Sequence, residues 1–290
     1  MTHPHAGAPA FDRQQLDRVL WVLRDYLDQL VVIGGWVPAL HQISGTVPAW
    51  RSAVSRTTEL DVLVQPELPG SGRPSISDLL RQHGFEPVDS GPSFSIWQSK
   101  EREGAALEFL MPLRGPHRNI GRVGAVRGQE QLGAVELPDL EFLRQSAVRL
   151  PIEIRSPAGG LVRVDVNVPQ LGAFLVSRGA IFQQRRGPAG KRKAGKDLLY
   201  IHDVLAGGSD VAAQVQRDVR TLVGESRAGR DYVAYAANHV TLGLRNNHSA
   251  IDEAALMLNE REGISIDGAR AAIRGFLTDF MEMLREVLGE

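Results

Sequence analysis

Apolar residues recur along this chain with two different periods, and the change between them divides the chain into two regions. From residue 11 to 30 the apolar positions follow helical spacing, which predicts a first helix that runs to a strand. Alternating apolar and polar positions and short apolar runs then predict the strands of a sheet. These strands lie at 31–33, within 55–64, and at 94–97, 105–112, 148–154 and 161–168. After Pro169 the period becomes helical and stays so to Leu288.

The order of these elements predicts an α/β (α+β) fold, with a mixed sheet flanked by helices and a helical lobe at the C-terminal end. We expect two domains, at 1–168 and 169–290. Within the first domain, the last two strands should form a hairpin closed by Pro157–Gly160. The glycine-rich segment 115–133 is expected to form a long exposed loop or an irregular hairpin.

The composition is that of an ordinary globular protein, with 43% hydrophobic and 23% charged residues. The formal net charge of −1 gives no indication that the protein binds nucleic acid through its overall charge. The sequence contains no cysteine, which excludes disulfides, thiolate zinc sites and cysteine nucleophiles within it. No signal peptide and no apolar run of membrane-spanning length is recognisable, so we expect a cytoplasmic protein without a membrane partner.

Local basic clusters are candidates for binding phosphate groups, with a solvated loop as the alternative for each. One is a glycine-interrupted segment, expected to be a loop, with Arg185, Arg186, Lys191, Arg192, Lys193 and Lys196. The other lies in and beside the segment 115–133, with Arg114, His117, Arg118 and Arg122.

Two glycines and two carboxylates stand out against the predicted sheet. The apolar strand 31–33 runs directly into Gly34 and Gly35, and the next strand carries Glu59 and Asp61. Side chains two residues apart on a strand point to the same face, so the two carboxylates should lie together. A divalent cation would relieve their repulsion, and glycine lets a backbone approach phosphate groups closely. This combination suits a nucleoside triphosphate bound through a metal ion.

These residues resemble the minimal nucleotidyltransferase superfamily, whose signature is a Gly-Gly turn, a strand with two acids one residue apart, and a later third acid. The resemblance is closest to the AbiEii-like branch, which also has a basic-acidic pair at the start of a later helix, here Lys196 and Asp197 in Lys196–Leu205. That branch includes toxins of bacterial toxin–antitoxin pairs, some of which transfer nucleotides to tRNA. Glu59 departs from the family's usual aspartate, but glutamate is also an oxygen ligand.

The resemblance implies a third carboxylate on a following strand. Glu108 is the favoured candidate because it comes next in the chain in a strand-like setting. Asp165, which alternates with valines, is the competing candidate. With Glu59 and Asp61, the third carboxylate would bind Mg²⁺, with Mn²⁺ as an alternative ion.

Further site residues follow from the resemblance and from general phosphate chemistry. Lys196 would neutralise the leaving pyrophosphate, Asp197 would hold an arginine or pair with a helix terminus, and Arg178 would face the nucleotide. The β- and γ-phosphates would be held by backbone and hydroxyl groups near a helix N-terminus. The residues expected to hold them are Gly34, Gly35, Ser55, Thr57 and Thr58. His41, on a short predicted helix, is more consistent with packing or capping than with substrate binding.

The predicted activity is transfer of a nucleoside monophosphate from an NTP such as ATP to an acceptor hydroxyl, with release of pyrophosphate. We expect RNA, in particular tRNA, as the acceptor in a toxin-like role, with an antitoxin protein as a possible partner. One alternative is an antibiotic-type small-molecule acceptor. The other is a catalytically inactive module that still binds nucleotide.

Overall fold

The computed structural model describes residues 13–48, 59–70, 72–100, 106–113, 115, 119–185 and 187–290. They form two compact units. The first lies within Met1–Ser44 and Arg56–Pro169, and the second within Gly45–Ser55 and Gln170–Glu290. No helix in the described ranges combines the length and apolarity that crossing a membrane requires.

The first unit is built from strands with short helices between them, as expected for a mixed α/β fold. Its helices are α1 (Arg13–Leu23), α2 (Val37–Ile43), α3 (Ile76–Gln82) and α4 (Leu140–Gln145). Its strands are β1 (Val31–Ile33), β2 (Glu59–Leu63), β3 (Phe85–Pro87), β4 (Ile96–Ser99), β5 (Ala106–Pro112), β6 (Val123–Ala125), β7 (Gly133–Leu137), β8 (Ala147–Arg155) and β9 (Leu161–Pro169). A single turn of 3₁₀ helix, Gly34–Trp36, connects β1 to α2.

These strands form one mixed sheet with the order β3-β4-β5-β2-β1-β9-β8. The central pairs β2–β5 and β1–β9 are parallel, whereas β1–β2, β3–β4, β4–β5 and β8–β9 are antiparallel. The outer edge of β5 pairs with β4 near Glu108 and with β7 from Leu110 onward. The predicted mixed sheet is therefore confirmed, and β2 lies near its centre.

The two faces of the sheet have different coverings. Leu60, Val62, Leu107 and Phe109 point to one face and are fully buried. On the other face, Val31, Ile33, Leu63 and Leu110 pack with α4 in an apolar cluster. Because side chains alternate along a strand, Glu59, Asp61 and Glu108 share this second face with that cluster.

The second unit is helical, as its apolar period indicates. Its helices are α5 (Leu171–Ile181), α6 (Gly187–Leu205), α7 (Ser209–Glu225), α8 (Arg227–Asn246), α9 (His248–Glu262) and α10 (Ile266–Leu288). Side-chain oxygens of Ser226, Asn247 and Ser265 accept hydrogen bonds from the first turns of α8, α9 and α10. Their apolar faces pack together in a helical core.

Several element boundaries differ from the expected ones. The first helix ends at Leu23 rather than at the strand, and the turns that follow direct the carbonyls of Leu27 and Leu30 to the side-chain amide of Asn167. The basic segment expected as a loop belongs in part to α6, which begins at Gly187. Segment 115–133 contains β6 and the first residue of β7, its antiparallel partner. Of the two expectations for this segment, the irregular hairpin rather than the long loop is therefore correct.

Candidate functional site

Three carboxylates meet on one face of the sheet. β2 and β5 run parallel, with Asp61 directly beside Glu108, and Glu59 lies two residues before Asp61 on the same face. One carboxylate oxygen from each of the three residues can be chosen so that all lie within 4.8 Å of one another. All three side chains are half-buried. The strand register thus brings together residues that are about fifty positions apart in the chain.

The glycine turn lies directly against this cluster. Ile33 at the end of β1 pairs with Asp61, so the chain enters the turn beside the carboxylates. Gly34 has a φ of +73°, and a Cβ added there would lie 1.9 Å from Oδ2 of Asp61. Only glycine therefore fits, because it tolerates the left-handed backbone and leaves room for the carboxylate. Gly34 is buried and Gly35 is half-buried.

Asp165, the rival third carboxylate, lies elsewhere on the sheet. It is on β9, which is separated from β2 by β1. Asp165 precedes Asn167, the residue of β9 that pairs with Val31 at the start of β1. Asp61 pairs with Ile33, at the other end of β1. The Asp165 carboxylate instead contacts Arg149 Nε at 3.4 Å, and its side chain is 44% exposed. The geometry therefore favours Glu108 over Asp165 as the neighbour of Glu59 and Asp61.

A sequence model of a protein family described as nucleotidyltransferase matches residues 16–214. The chain belongs to this family. The match contains the glycine turn, the three clustered carboxylates and Lys196–Asp197. The expected nucleotidyltransferase family is thus confirmed. No curated protein gives a significant match to this chain.

Two solved structures are similar to this chain. One is an antigenic nucleotidyltransferase-like protein from Paracoccidioides brasiliensis, with 16% identity and a TM-score of 0.35, covering 75% of this chain and 91% of that one. The other is JHP933 from Helicobacter pylori, with 8% identity and a TM-score of 0.38, covering 94% of this chain and 92% of that one.

Some of the remaining predicted residues lie outside the described part of the chain, and others are described. Ser55, Thr57 and Thr58 lie outside the described residues, as do Arg114, His117, Arg118 and Arg186. Arg122 is described and exposed. His41 is buried, and its Nε2 lies 2.9 Å from the carbonyl oxygen of Pro169. This contact gives His41 a packing role, as expected.

In the second unit, Asp197 is the centre of a buried ionic cluster. Its side chain is 3% exposed, and its two carboxylate oxygens accept hydrogen bonds from Arg178 Nη1 and Arg185 Nε, both at 3.1 Å. The Arg178 guanidinium also stacks over the ring of Phe174, 4.9 Å from its centroid. Asp197 thus holds two arginines, and the cluster carries a net positive charge.

Lys196 lies next to this cluster in the chain. Its Nζ is 5.8 Å from the ring centroid of Tyr200, one turn later on α6, and its side chain is half-buried. Tyr200 packs edge-on against Phe174, with a centroid distance of 5.5 Å. The Lys196 ammonium group therefore lies near the ring of Tyr200. Tyr200 in turn contacts Phe174, the ring on which Arg178 stacks.

Two contacts in these sites were not predicted from the sequence. The approach of Gly34 to Asp61 depends on the antiparallel pairing of β1 with β2, and strand alternation does not specify that pairing. The bond between Arg185 and Asp197 joins the segment before α6 to its third turn. Arg185 lies in a segment expected to be a loop and Asp197 in the helix predicted to begin at Lys196, so the twelve residues between them gave no signal of which arginine this acid would bind.

Proposed function

We propose that the protein is a metal-dependent nucleotidyltransferase that transfers a nucleoside monophosphate from an NTP to an acceptor hydroxyl and releases pyrophosphate. The observation that carries this proposal is the cluster formed by Glu59, Asp61 and Glu108. Membership of the nucleotidyltransferase family agrees with it.

The donor set fits a hard divalent cation. Three carboxylates with oxygens within 4.8 Å would repel one another strongly in a half-buried site. Oxygen ligands of this kind suit Mg²⁺, and Mn²⁺ is accepted by similar sites. Glu59, Asp61 and Glu108 would hold the ion. When bound, the ion supplies positive charge to phosphate oxygens.

The proposed reaction exchanges one bond at the α-phosphorus for another. The acceptor oxygen forms a new bond to the α-phosphorus while the bond to the α,β-bridging oxygen breaks. The bridging oxygen keeps the electron pair and leaves as part of pyrophosphate, and a carboxylate of the cluster accepts the acceptor's proton. Gly34 and Gly35 would bring backbone N–H groups to the β- and γ-phosphates, together with Ser55, Thr57 and Thr58.

The basic residues of the second unit would stabilise negative charge on the phosphates. Lys196 and Arg178 would neutralise the pyrophosphate as it leaves, and Asp197 would keep Arg178 in position. The support for these roles is the buried salt bridge between Arg178 and Asp197 and the placement of Lys196 on the same helix as Asp197.

RNA, in particular tRNA, is the proposed acceptor, in a toxin-like role with an antitoxin as partner. The resemblance of the Lys196–Leu205 helix to the AbiEii-like branch supports this role. The exposed basic residues Lys191, Arg192 and Lys193 at the start of the same helix favour a polyanionic acceptor over a small cationic amine.

Calorimetric titration with a non-reactive α,β-methylene NTP analogue tests the carboxylate cluster directly. The wild type should bind the analogue in the presence of Mg²⁺ and lose most of that affinity when Mg²⁺ is removed. Asp61→Asn and Glu108→Gln, which keep the side-chain shape but remove the charge, should lose the dependence on Mg²⁺. Asp165→Asn is the matched control and should behave as the wild type. Magnesium-dependent binding that is lost in Asp165→Asn but kept in Glu108→Gln would overturn the assignment.

A further inference from the structure

Arg185 is anchored to Asp197 through one edge of its guanidinium group. Its Nε donates a hydrogen bond to Oδ2 of Asp197 at 3.1 Å, and the Asp197 side chain is 3% exposed. This is the only hydrogen bond that the Arg185 side chain forms within the described part of the chain. The Nη1 and Nη2 groups at the end of the side chain form the Arg185 fork, and their N–H donors are not used by Asp197.

The Arg185 fork is accessible to solvent. The Arg185 side chain is 31% exposed, although the carboxylate that it binds is buried. The buried polar atoms that lack a hydrogen-bond partner in the described residues include Nε of Arg178 but neither Nη atom of Arg185. Arg178, which binds the other oxygen of Asp197, is 12% exposed and stacks on Phe174. Of the two arginines on Asp197, Arg185 therefore has the more accessible donors.

The backbone that carries Arg185 is also held in place. The Arg185 N–H donates a hydrogen bond to the carbonyl oxygen of Phe182 at 3.4 Å, and Phe182 is buried. A Cβ at Gly190 would lie 3.0 Å from the carbonyl carbon of Arg185, so the absence of a side chain lets the start of α6 lie close to Arg185. A ligand that binds the Arg185 fork thus meets donors that are already ordered, which lowers the entropy cost of binding.

The charges next to Asp197 favour an anion as this ligand. Arg178, Arg185 and Lys196 are three cations, and the one carboxylate among them accepts a single hydrogen bond from each arginine. Asp197 therefore leaves a net positive charge, which an anion would balance. The two parallel N–H directions of a guanidinium fork match two oxygens of a phosphate group.

We propose that the Arg185 fork binds the β- and γ-phosphates of the NTP and then the pyrophosphate that they form, with Asp197 holding Arg185 in position. The inference rests on the proposed function and adds a second arginine to its phosphate-binding residues. Arg178 has little accessible surface, so its contribution is mainly that of its charge. Arg185 supplies the directed hydrogen bonds.

Calorimetric titration with inorganic pyrophosphate tests the Arg185 fork. The buffer contains EDTA and no divalent cation, so that metal binding at the carboxylate cluster does not contribute. Arg185→Gln, which removes the charge and the fork, should raise the Kd about 10- to 150-fold, the value of hydrogen bonds to a charged group. Arg185→Lys keeps the charge but has no fork, and it should still bind at least roughly 5-fold more weakly than the wild type.

Arg285→Gln is the matched control. Arg285 is a half-buried arginine of the same helical unit, and its Nη2 donates a hydrogen bond to Oγ1 of Thr241 at 3.2 Å. This substitution also removes one charge and a side-chain hydrogen bond, so it measures the effect of net charge and of a lost structural contact. Its Kd for pyrophosphate should stay close to that of the wild type.

The outcomes separate this inference from the proposed function. Circular dichroism shows which variants are folded, and Arg185→Lys decides the comparison if Arg185→Gln does not fold. Equal pyrophosphate affinity in the folded variants and the wild type, or no binding by the wild type, overturns the Arg185 fork even if nucleotide transfer is observed. An equal loss in Arg285→Gln also overturns it, because net charge would then be what matters. Conversely, pyrophosphate binding that depends on Arg185 in a protein that transfers no nucleotide would support the fork and refute the enzyme.

Discussion

Replacing Gly34 with alanine should destroy the carboxylate site at a modest cost in stability. A non-glycine residue in the left-handed region, where Gly34 has φ of +73°, costs about 1–2 kcal/mol. The added methyl group would also lie 1.9 Å from Asp61 Oδ2, so this carboxylate must move by about 1.5 Å to reach ordinary contact distance. Ligand geometry around Mg²⁺ is strict, and a misplacement of about 1 Å can reduce a reaction rate by roughly 100-fold.

Gly45→Ala provides a matched control for this variant. Gly45 has nearly the same φ, +74°, but no described atom lies within 4 Å of an added Cβ. Urea unfolding followed by circular dichroism should show a loss of about 1–2 kcal/mol in the free energy of unfolding for Gly45→Ala. Nucleotide transfer should fall by at least about 100-fold in Gly34→Ala and remain near the wild-type rate in Gly45→Ala. Transfer by a folded Gly34→Ala protein at the wild-type rate would refute the reasoning.

Three further predictions concern the helical unit, each measured as the change in the free energy of unfolding in urea. Asp197→Asn should destabilise the helical unit by about 3 kcal/mol, because the substitution leaves Arg178 and Arg185 without their buried counter-charge. A loss below about 1 kcal/mol would show that these ion pairs are solvated. Arg261→Lys should cost about 1–2 kcal/mol, since lysine cannot make both 2.7 Å bonds to the fully buried Asp203; unchanged stability would contradict this. Ser265→Ala should cost about 1 kcal/mol by removing the N-cap of α10, and Ser249→Ala, at an exposed position, should cost less.

The carboxylate face of β2 was predictable because it depends on local alternation. Glu59 and Asp61 flank the apolar Leu60, and the two-residue period of a strand is sufficient to place both acids on one face. Placing Glu108 beside them requires the parallel pairing of β2 with β5. That pairing depends on contacts distant in the chain, which is why Asp165 was a competing candidate.

The missed elements are those in which length or packing outweighs local preference. β3 has three residues and α4 has six, too few for a period to be recognised. Helix α6 begins at Gly187 although glycine disfavours helix, because its close packing against a neighbouring helix requires glycine. A Cβ at Gly195 would lie 2.6 Å from the Cβ of Glu253 on α9, so only glycine allows these two helices to approach. Tertiary packing here overrides the low helix propensity of glycine.

The measurement that tests the central claim most directly is an incubation with each α-labelled nucleoside triphosphate, Mg²⁺ and total cellular RNA, with products resolved by size. Wild type and Asp165→Asn should both place label on a discrete RNA species, and Asp61→Asn, with its fold verified by circular dichroism, should place none. Label transferred equally by Asp61→Asn, or no label from any of the four triphosphates, would contradict the proposal that Glu59, Asp61 and Glu108 form the centre of an RNA nucleotidyltransferase.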